Sequence, residues 1–154
     1  KAGNICLPDQ VIDYTYGRDN SYYDGVERPV MHIDFTQPYT QSLRRLCQQA
    51  ASNIDQKIHD AGVYACVQGP RLETAAEIDR YEKDGANIIG MTGMPEAALA
   101  RELGIYYAAI CPVANAAAGR GESAEQIQYD VMMERLSQTM VNVRALISEV
   151  AKIF

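Results

Sequence analysis

The stretch from Gly62 to Ala118 constrains the fold of this chain more than any other part. It holds three strand-like runs, at 63–67, 87–91 and 106–113. Each stops at a small or polar residue, and two turn directly into helix-like segments. Strands alternating with helical patterns predict an α/β domain. In an open α/β sheet, ligands bind in the loops just past the carboxyl ends of the strands. Glu73, Met91, Thr92 and Asn115 all fall in such loops.

Local signals set the expected boundaries. Thr74-Ala75-Ala76-Glu77 reads as a capping box, opening a helix that ends near Asp84 with Gly85 at C′. Pro95 is expected at the first position of the next helix, which Gly104 ends. Earlier, Thr40 is expected to cap a helix carrying Leu43, Leu46, Cys47 and Ala50 on one face. Residues 57–59 read as a short strand, and Asp60-Ala61-Gly62 as a hairpin turn into 63–67. Ser123-Ala124-Glu125-Gln126 reads as a second capping box that starts a long amphipathic helix. Its apolar face is Ile127, Val131, Leu136, Met140, Val143, Ile147 and Val150. Two strand-like pieces flank Pro8, and strands this early with no initiating Met predict that something precedes them. Residues 16–38 form a loop too long for a plain connector, and its tyrosines favour a packed loop at an interface.

With 154 residues, one domain with a sizeable core is expected. The net charge of -6 argues against nucleic-acid or anionic-membrane partners, since no basic field would draw a polyanion. No apolar run approaches a membrane span, and a cytoplasmic protein is expected. Cys6, Cys47, Cys66 and Cys111 are scattered, without a CxxC pair or a nearby histidine. They read as reduced core residues rather than disulfides or metal ligands.

Each candidate site residue has two readings. Glu73 fits first a helix-start carboxylate favoured by the macrodipole, and alternatively an acceptor for a ligand N–H. Met91 and Thr92 fit a core Met with a turn Thr, or a phosphate cradle built on Thr92 and neighbouring amides. Asn115 fits an Asx turn or a ligand contact. Arg71 is expected to pair locally with Glu73 or Glu77, and His32 to be structural. No P-loop, GxGxxG, GxSxG or metal-ligand spacing is present. Pattern alone reaches an α/β domain with a ligand site at its strand ends.

The residues themselves go further. Gly69-Pro70-Arg71-Leu72-Glu73-Thr74-Ala75-Ala76-Glu77 resembles the Gly-Pro-x-x-Glu-Thr-x-x-Glu signature of the trimeric purine nucleoside phosphorylase and methylthioadenosine phosphorylase family. Gly90-Met91-Thr92-Gly93-Met94-Pro95-Glu96 is similar to its second signature. Residues 3–10, 12–15 and 31–33 also fit. The resemblance implies the C-terminal portion of an α/β fold with a mixed β-sheet flanked by helices, present as a single domain fragment. It implies reversible phosphorolysis of a purine nucleoside, with inorganic phosphate as co-substrate and no metal or organic cofactor.

The resemblance also implies roles. Thr92 contacts phosphate, Met91 packs against the ribose, and Leu72 stands where a base-stacking aromatic often sits. Glu73 and Asn115 match the pair that recognises a 6-oxopurine. Tyr129 and Met132 lie near the 5′ pocket, and His32 matches a position contributed by a neighbouring subunit of a homotrimer. The combination looks most like the bacterial methylthioinosine phosphorylases. The family's N-terminal phosphate loop has no counterpart in this sequence, so a fragment or a chain completed by a partner is expected, with little activity alone. The competing expectations are a purine-binding or oligomer-forming module without catalysis, and a methylthioadenosine phosphorylase.

Overall fold

Two chain segments run side by side and break at the same level. Ile5–Cys6 (β1) and Gln10–Asp13 (β2) pair in parallel, respectively, with Ile58–His59 (β3) and Val63–Cys66 (β4). Pro8 interrupts the first segment, where it can donate no ladder bond, and residues 60–62 interrupt the second. Across the break the Leu7 amide donates to the His59 carbonyl at 2.8 Å, and the Gly62 amide donates to the Asp9 carboxylate at 2.8 Å. The hairpin expected at 60–62 does not form. β3 and β4 each find an earlier strand as neighbour, so the turn passes the chain from one sheet to another.

A computed structural model describes residues 1–154. Its strands form two three-stranded sheets, completed by Ile88–Gly90 (β5) and Cys111–Pro112 (β6). One sheet has the order β3-β1-β6 with β6 antiparallel, and the other is β2-β4-β5, parallel throughout. The helices are Gln41–Asn53 (α1), Ala75–Lys83 (α2), Glu96–Glu102 (α3) and Tyr129–Ile153 (α4). The architecture is mixed α/β with helices flanking the sheets, as expected. No helix is long and apolar enough to cross a membrane.

Two clusters hold the layers. Tyr64 and Cys66 of β4 pack against Met94 and Ala97 at the start of α3. Ala50 and Ala51 of α1 receive Leu146 of α4. Burying a leucine fully contributes about 1.5–3 kcal/mol. Arg44 is buried on α1, and its guanidinium donates to the Leu7 and Pro8 carbonyls and pairs with Asp60 at 2.6 Å. It clamps the shared break in the two segments.

The helix ends follow their local chemistry. Thr74 Oγ1 accepts from the Glu77 amide while the Glu77 carboxylate accepts from the Thr74 amide, which completes the capping box. After α2 and α3, Gly85 and Gly104 take positive φ, and paired amides return to the last turn in Schellman fashion. Pro95 stands at the cap of α3, one residue earlier than expected.

Three expectations need correction. Thr40 precedes α1, but its hydroxyl accepts from the Tyr107 amide at 3.0 Å and not from the helix. The run 106–113 is not one strand. Tyr107 bonds to Thr40 through both backbone groups, and only Cys111–Pro112 pair with β1. Ser123 starts no helix, because its amide donates to Arg120 and its carbonyl accepts from Gly119, closing a 3-10 turn. α4 begins at Tyr129, so Ile127 lies outside it. Its buried face is Thr139, Val143 and Leu146, while Val131 and Ile147 are exposed.

Candidate functional site

The strand ends enclose a cavity of about 850 Å³. One wall comes from the β4–α2 loop and the end of β5, with Leu72, Glu73 and Met91. The other comes from the segment after β6, with Asn115. Tyr64 of β4 and Tyr81 of α2 also line it. The volume suits a ligand of drug-like or nucleoside size.

The fold brings these loops together through glycines. Gly69 has φ +65°, and a Cβ there would collide with the Met91 sulfur, so the β4–α2 loop lies directly on the end of β5. A Cβ at Gly90 or Gly93 would strike the Tyr64 ring, which crosses beneath both. Gly119 has φ +75°, and a Cβ there would stand only 2.7 Å from the Ala75 methyl at the first residue of α2, so the second wall lies directly against that helix start. Asn115 and Glu73 therefore face one space although 42 positions separate their numbers in the chain.

Glu73 is half-buried, and burial pushes its carboxyl above the usual range. The Glu77 charge adds to this, while its own backbone amide and Arg71 oppose it. Arg71 does not neutralise it. The Arg71 guanidinium is turned outward in a bidentate pair with Glu77 at 2.7 and 2.8 Å, one of the two local pairings expected. That pair, together with the cap, holds the Glu77 carboxyl down at about 2. Asn115 Nδ2 donates to the Ala116 carbonyl at 2.7 Å, leaving one N–H and the side-chain oxygen for a ligand.

The other expected site residues stand further out. Thr92 is exposed beside Met91 without lining the cavity, and its amide donates to the Tyr64 hydroxyl at 3.2 Å. His32 is exposed in the 16–38 loop, away from the cavity. Tyr129 and Met132 lie on the first turn of α4 and do not line it. Ile127 and Arg135 from the same region do. Arg135 donates to the Ala114 carbonyl and pairs with Glu122. Sequence reasoning passed over Arg135 because an arginine on a helix carries no signal of which loop it will reach.

The titratable groups fit binding better than nucleophilic attack. Cys6, Cys47 and Cys66 are buried and Cys111 is half-buried, and burial pushes the cavity-lining Cys111 thiol up to about 12, far from a thiolate at neutral pH. No cluster of three or more metal-ligating side chains occurs. The arrangement offers a carboxylate acceptor, an amide donor and an apolar thioether around one space, with the exposed Thr92 beside it.

That arrangement is found on a phosphorylase fold. Residues 1–152 match the model of the Phosphorylase superfamily, and the chain belongs to that family. It is 46% identical over 148 residues to a probable S-methyl-5'-thioinosine phosphorylase of Xylella fastidiosa, covering 96% of this chain and 59% of the relative. It is 42% identical over 147 residues to a 6-oxopurine nucleoside phosphorylase of Pyrococcus furiosus, covering 92% and 56%. Methylthioadenosine phosphorylase from Schistosoma mansoni in complex with adenine superposes with a TM-score of 0.91. It shares 26% identity, over 98% of this chain and 59% of that one. The chain thus spans somewhat under two thirds of the length of the relatives it matches.

Proposed function

We propose that the protein phosphorolyses a 6-oxopurine nucleoside, with a 5'-methylthio or hydroxyl group, to the free purine and a ribose 1-phosphate. Such a reaction belongs to purine and methylthio salvage. The observation that carries the reading is the convergence of Glu73 and Asn115 on one cavity beside Met91, in a member of the Phosphorylase superfamily. The curated relatives named for methylthioinosine and 6-oxopurine nucleosides support the substrate class.

The chemistry is direct. A phosphate oxygen attacks the anomeric carbon as the glycosidic bond breaks, and the bonding electrons move onto the purine. Asn115 donates to N7, a bond that strengthens as charge builds on the base, while Glu73 accepts from N1–H and fixes the orientation of the purine. Met91 packs against the ribose, Leu72 lies along the base, and the Thr92 hydroxyl contacts phosphate. Tyr129 and Met132 approach the 5' group. No metal or organic cofactor enters these steps.

In this reading residues 1–154 form one domain, the C-terminal portion of the phosphorylase fold. The protein works in the cytoplasm as a homotrimer, in which His32 reaches a neighbour's site. The exposed 16–38 loop supports that geometry. Sedimentation of the intact protein at micromolar concentration tests the trimer, and a monomer there contradicts it. The function is tested by a phosphate-dependent assay with methylthioinosine, inosine and methylthioadenosine. Phosphate-dependent release of hypoxanthine from either 6-oxopurine substrate is expected. Purine binding without turnover would make the protein a binding module, and preference for methylthioadenosine would make it a methylthioadenosine phosphorylase.

A further inference from the structure

One arginine on the 16–38 loop is engaged mainly with main chain. Arg18 Nη1 donates to the Met91 carbonyl at 2.9 Å and to the Met94 carbonyl. Its Nη2 donates to the carbonyls of Val67 at 3.4 Å and Gln68 at 3.1 Å, and its Nε to Gln68 Oε1 at 3.2 Å. None of the seven ion pairs includes it. A half-buried guanidinium that takes four main-chain carbonyls and no carboxylate is unusual, because charge pairing is the ordinary use of such a group.

The carbonyls belong to two places only. Val67 and Gln68 follow β4, immediately before the Gly69–Glu73 loop, while Met91 and Met94 bracket Thr92 in the β5–α3 loop. The two loops otherwise touch through the Gly69–Met91 contact and the Val67 amide, which donates to the Gly90 carbonyl at 2.8 Å. The planar fork of Arg18 thus spans from the stem of the Glu73 loop to both ends of the Thr92 loop.

We infer that Arg18 is a positioning residue for this site, a clasp that fixes the distance between the base-recognising loop and the Met91–Thr92 loop. The inference rests on the proposed nucleoside reading for its consequence, but the clasp itself is a statement about two loops. A lysine cannot replace it, since three donors on one nitrogen do not reach five acceptors spread over two loops.

The test uses the intact protein and its Arg18→Met and Arg18→Lys variants. Hydrogen exchange is followed by mass spectrometry, and hypoxanthine affinity by calorimetry. Arg18→Met is expected to speed exchange at least tenfold in peptides covering 67–73 and 90–95, with α1 and α4 unchanged. It is expected to weaken hypoxanthine binding at least tenfold, with Arg18→Lys recovering only part of either effect. Unchanged exchange in the two loops overturns the clasp, and faster exchange throughout the protein reduces Arg18 to a general stabiliser. Loosened loops with unaltered hypoxanthine affinity overturn the positioning role. Failure of the wild-type protein to bind hypoxanthine sinks the functional reading instead, and the exchange pattern still decides whether the clasp exists.

Discussion

The two walls of the cavity are built by different means. The Glu73–Met91 wall stands on a parallel ladder between β4 and β5, a complete capping box, a bidentate Arg71–Glu77 pair and the Arg18 fork. The Asn115 wall has no long ladder. Residues 113–128 are held at points, by Arg120 on Asp79 and Glu82 of α2 and by Arg135 on Ala114 and Glu122. All residues from 111 to 120 are half-buried rather than core. Exposed ion pairs contribute little each, about 0–1 kcal/mol. The difference teaches that, under the proposed function, the acceptor Glu73 stands on a rigid wall and the donor Asn115 on a more adaptable one.

That contrast predicts where damage concentrates. Gly69→Val should have the largest effect. A left-handed backbone costs a branched residue about 1–2 kcal/mol, and forcing a side chain onto Met91 adds about 1–3 kcal/mol of overpacking. Urea unfolding should show the loss, and a fall in unfolding free energy below about 0.5 kcal/mol would deny that the first wall is tightly packed. Asn115→Asp, on the second wall, should leave stability near wild type. It should shift preference toward 6-aminopurines by roughly tenfold, about 1.4 kcal/mol, because a protonated Asp keeps the bond to N7 while its second oxygen accepts from the 6-amino group. Competitive binding of hypoxanthine and adenine reads this directly, and a shift toward hypoxanthine contradicts it.

Thr74→Ala should cost about 1 kcal/mol through loss of the cap. Thermal unfolding measures this, and Thr74→Ser should restore it. Acidification should produce the smallest effect. The Glu77 carboxyl is held at about 2, so its contribution is fully present above the ordinary carboxylate value and is lost as pH falls toward 2. Glu73 runs the other way. Its raised value favours the folded state below the ordinary carboxylate range, and that contribution is lost as pH rises through the raised value. The stability gap between wild type and Glu77→Gln should therefore narrow on acidification. A gap constant down to pH 2 would show that Glu77 is not engaged as described.

The same contrast explains what the sequence disclosed. On the first wall the determinants are local: Thr74 and Glu77 are three positions apart, and Gly85 and Gly104 sit where helices must stop. Patterns of that span are readable, and the site loops followed from them. Towards the second wall the deciding contacts lie outside the motifs that the sequence offers. Thr40 takes the amide of Tyr107, 67 positions away, which removes both a helix cap and a strand. Ser123 looks like a cap residue, but a turn closed by Gly119 and Arg120 claims its backbone first. The hairpin at 60–62 failed for a similar reason, since β1 and β2 offered parallel partners that no local pattern reveals. Arg18 was invisible in sequence because main-chain acceptors have no residue signature.

The central claim is that the half-buried, unneutralised Glu73 selects 6-oxopurines. A 6-oxopurine presents a proton at N1 to that carboxylate, whereas a 6-aminopurine presents a lone pair. Leaving a buried charge without its donor costs about 2–3 kcal/mol, or roughly a hundredfold in affinity. The direct measurement is the ratio of hypoxanthine to adenine affinity in the intact protein and in Glu73→Gln, across pH. The wild type should favour hypoxanthine roughly a hundredfold, with that preference fading on acidification as Glu73 protonates above the usual carboxylate range. Glu73→Gln should lose most of the preference and all of its pH dependence. Equal or tighter binding of adenine by the wild type, or a ratio untouched by Glu73→Gln, would contradict the account.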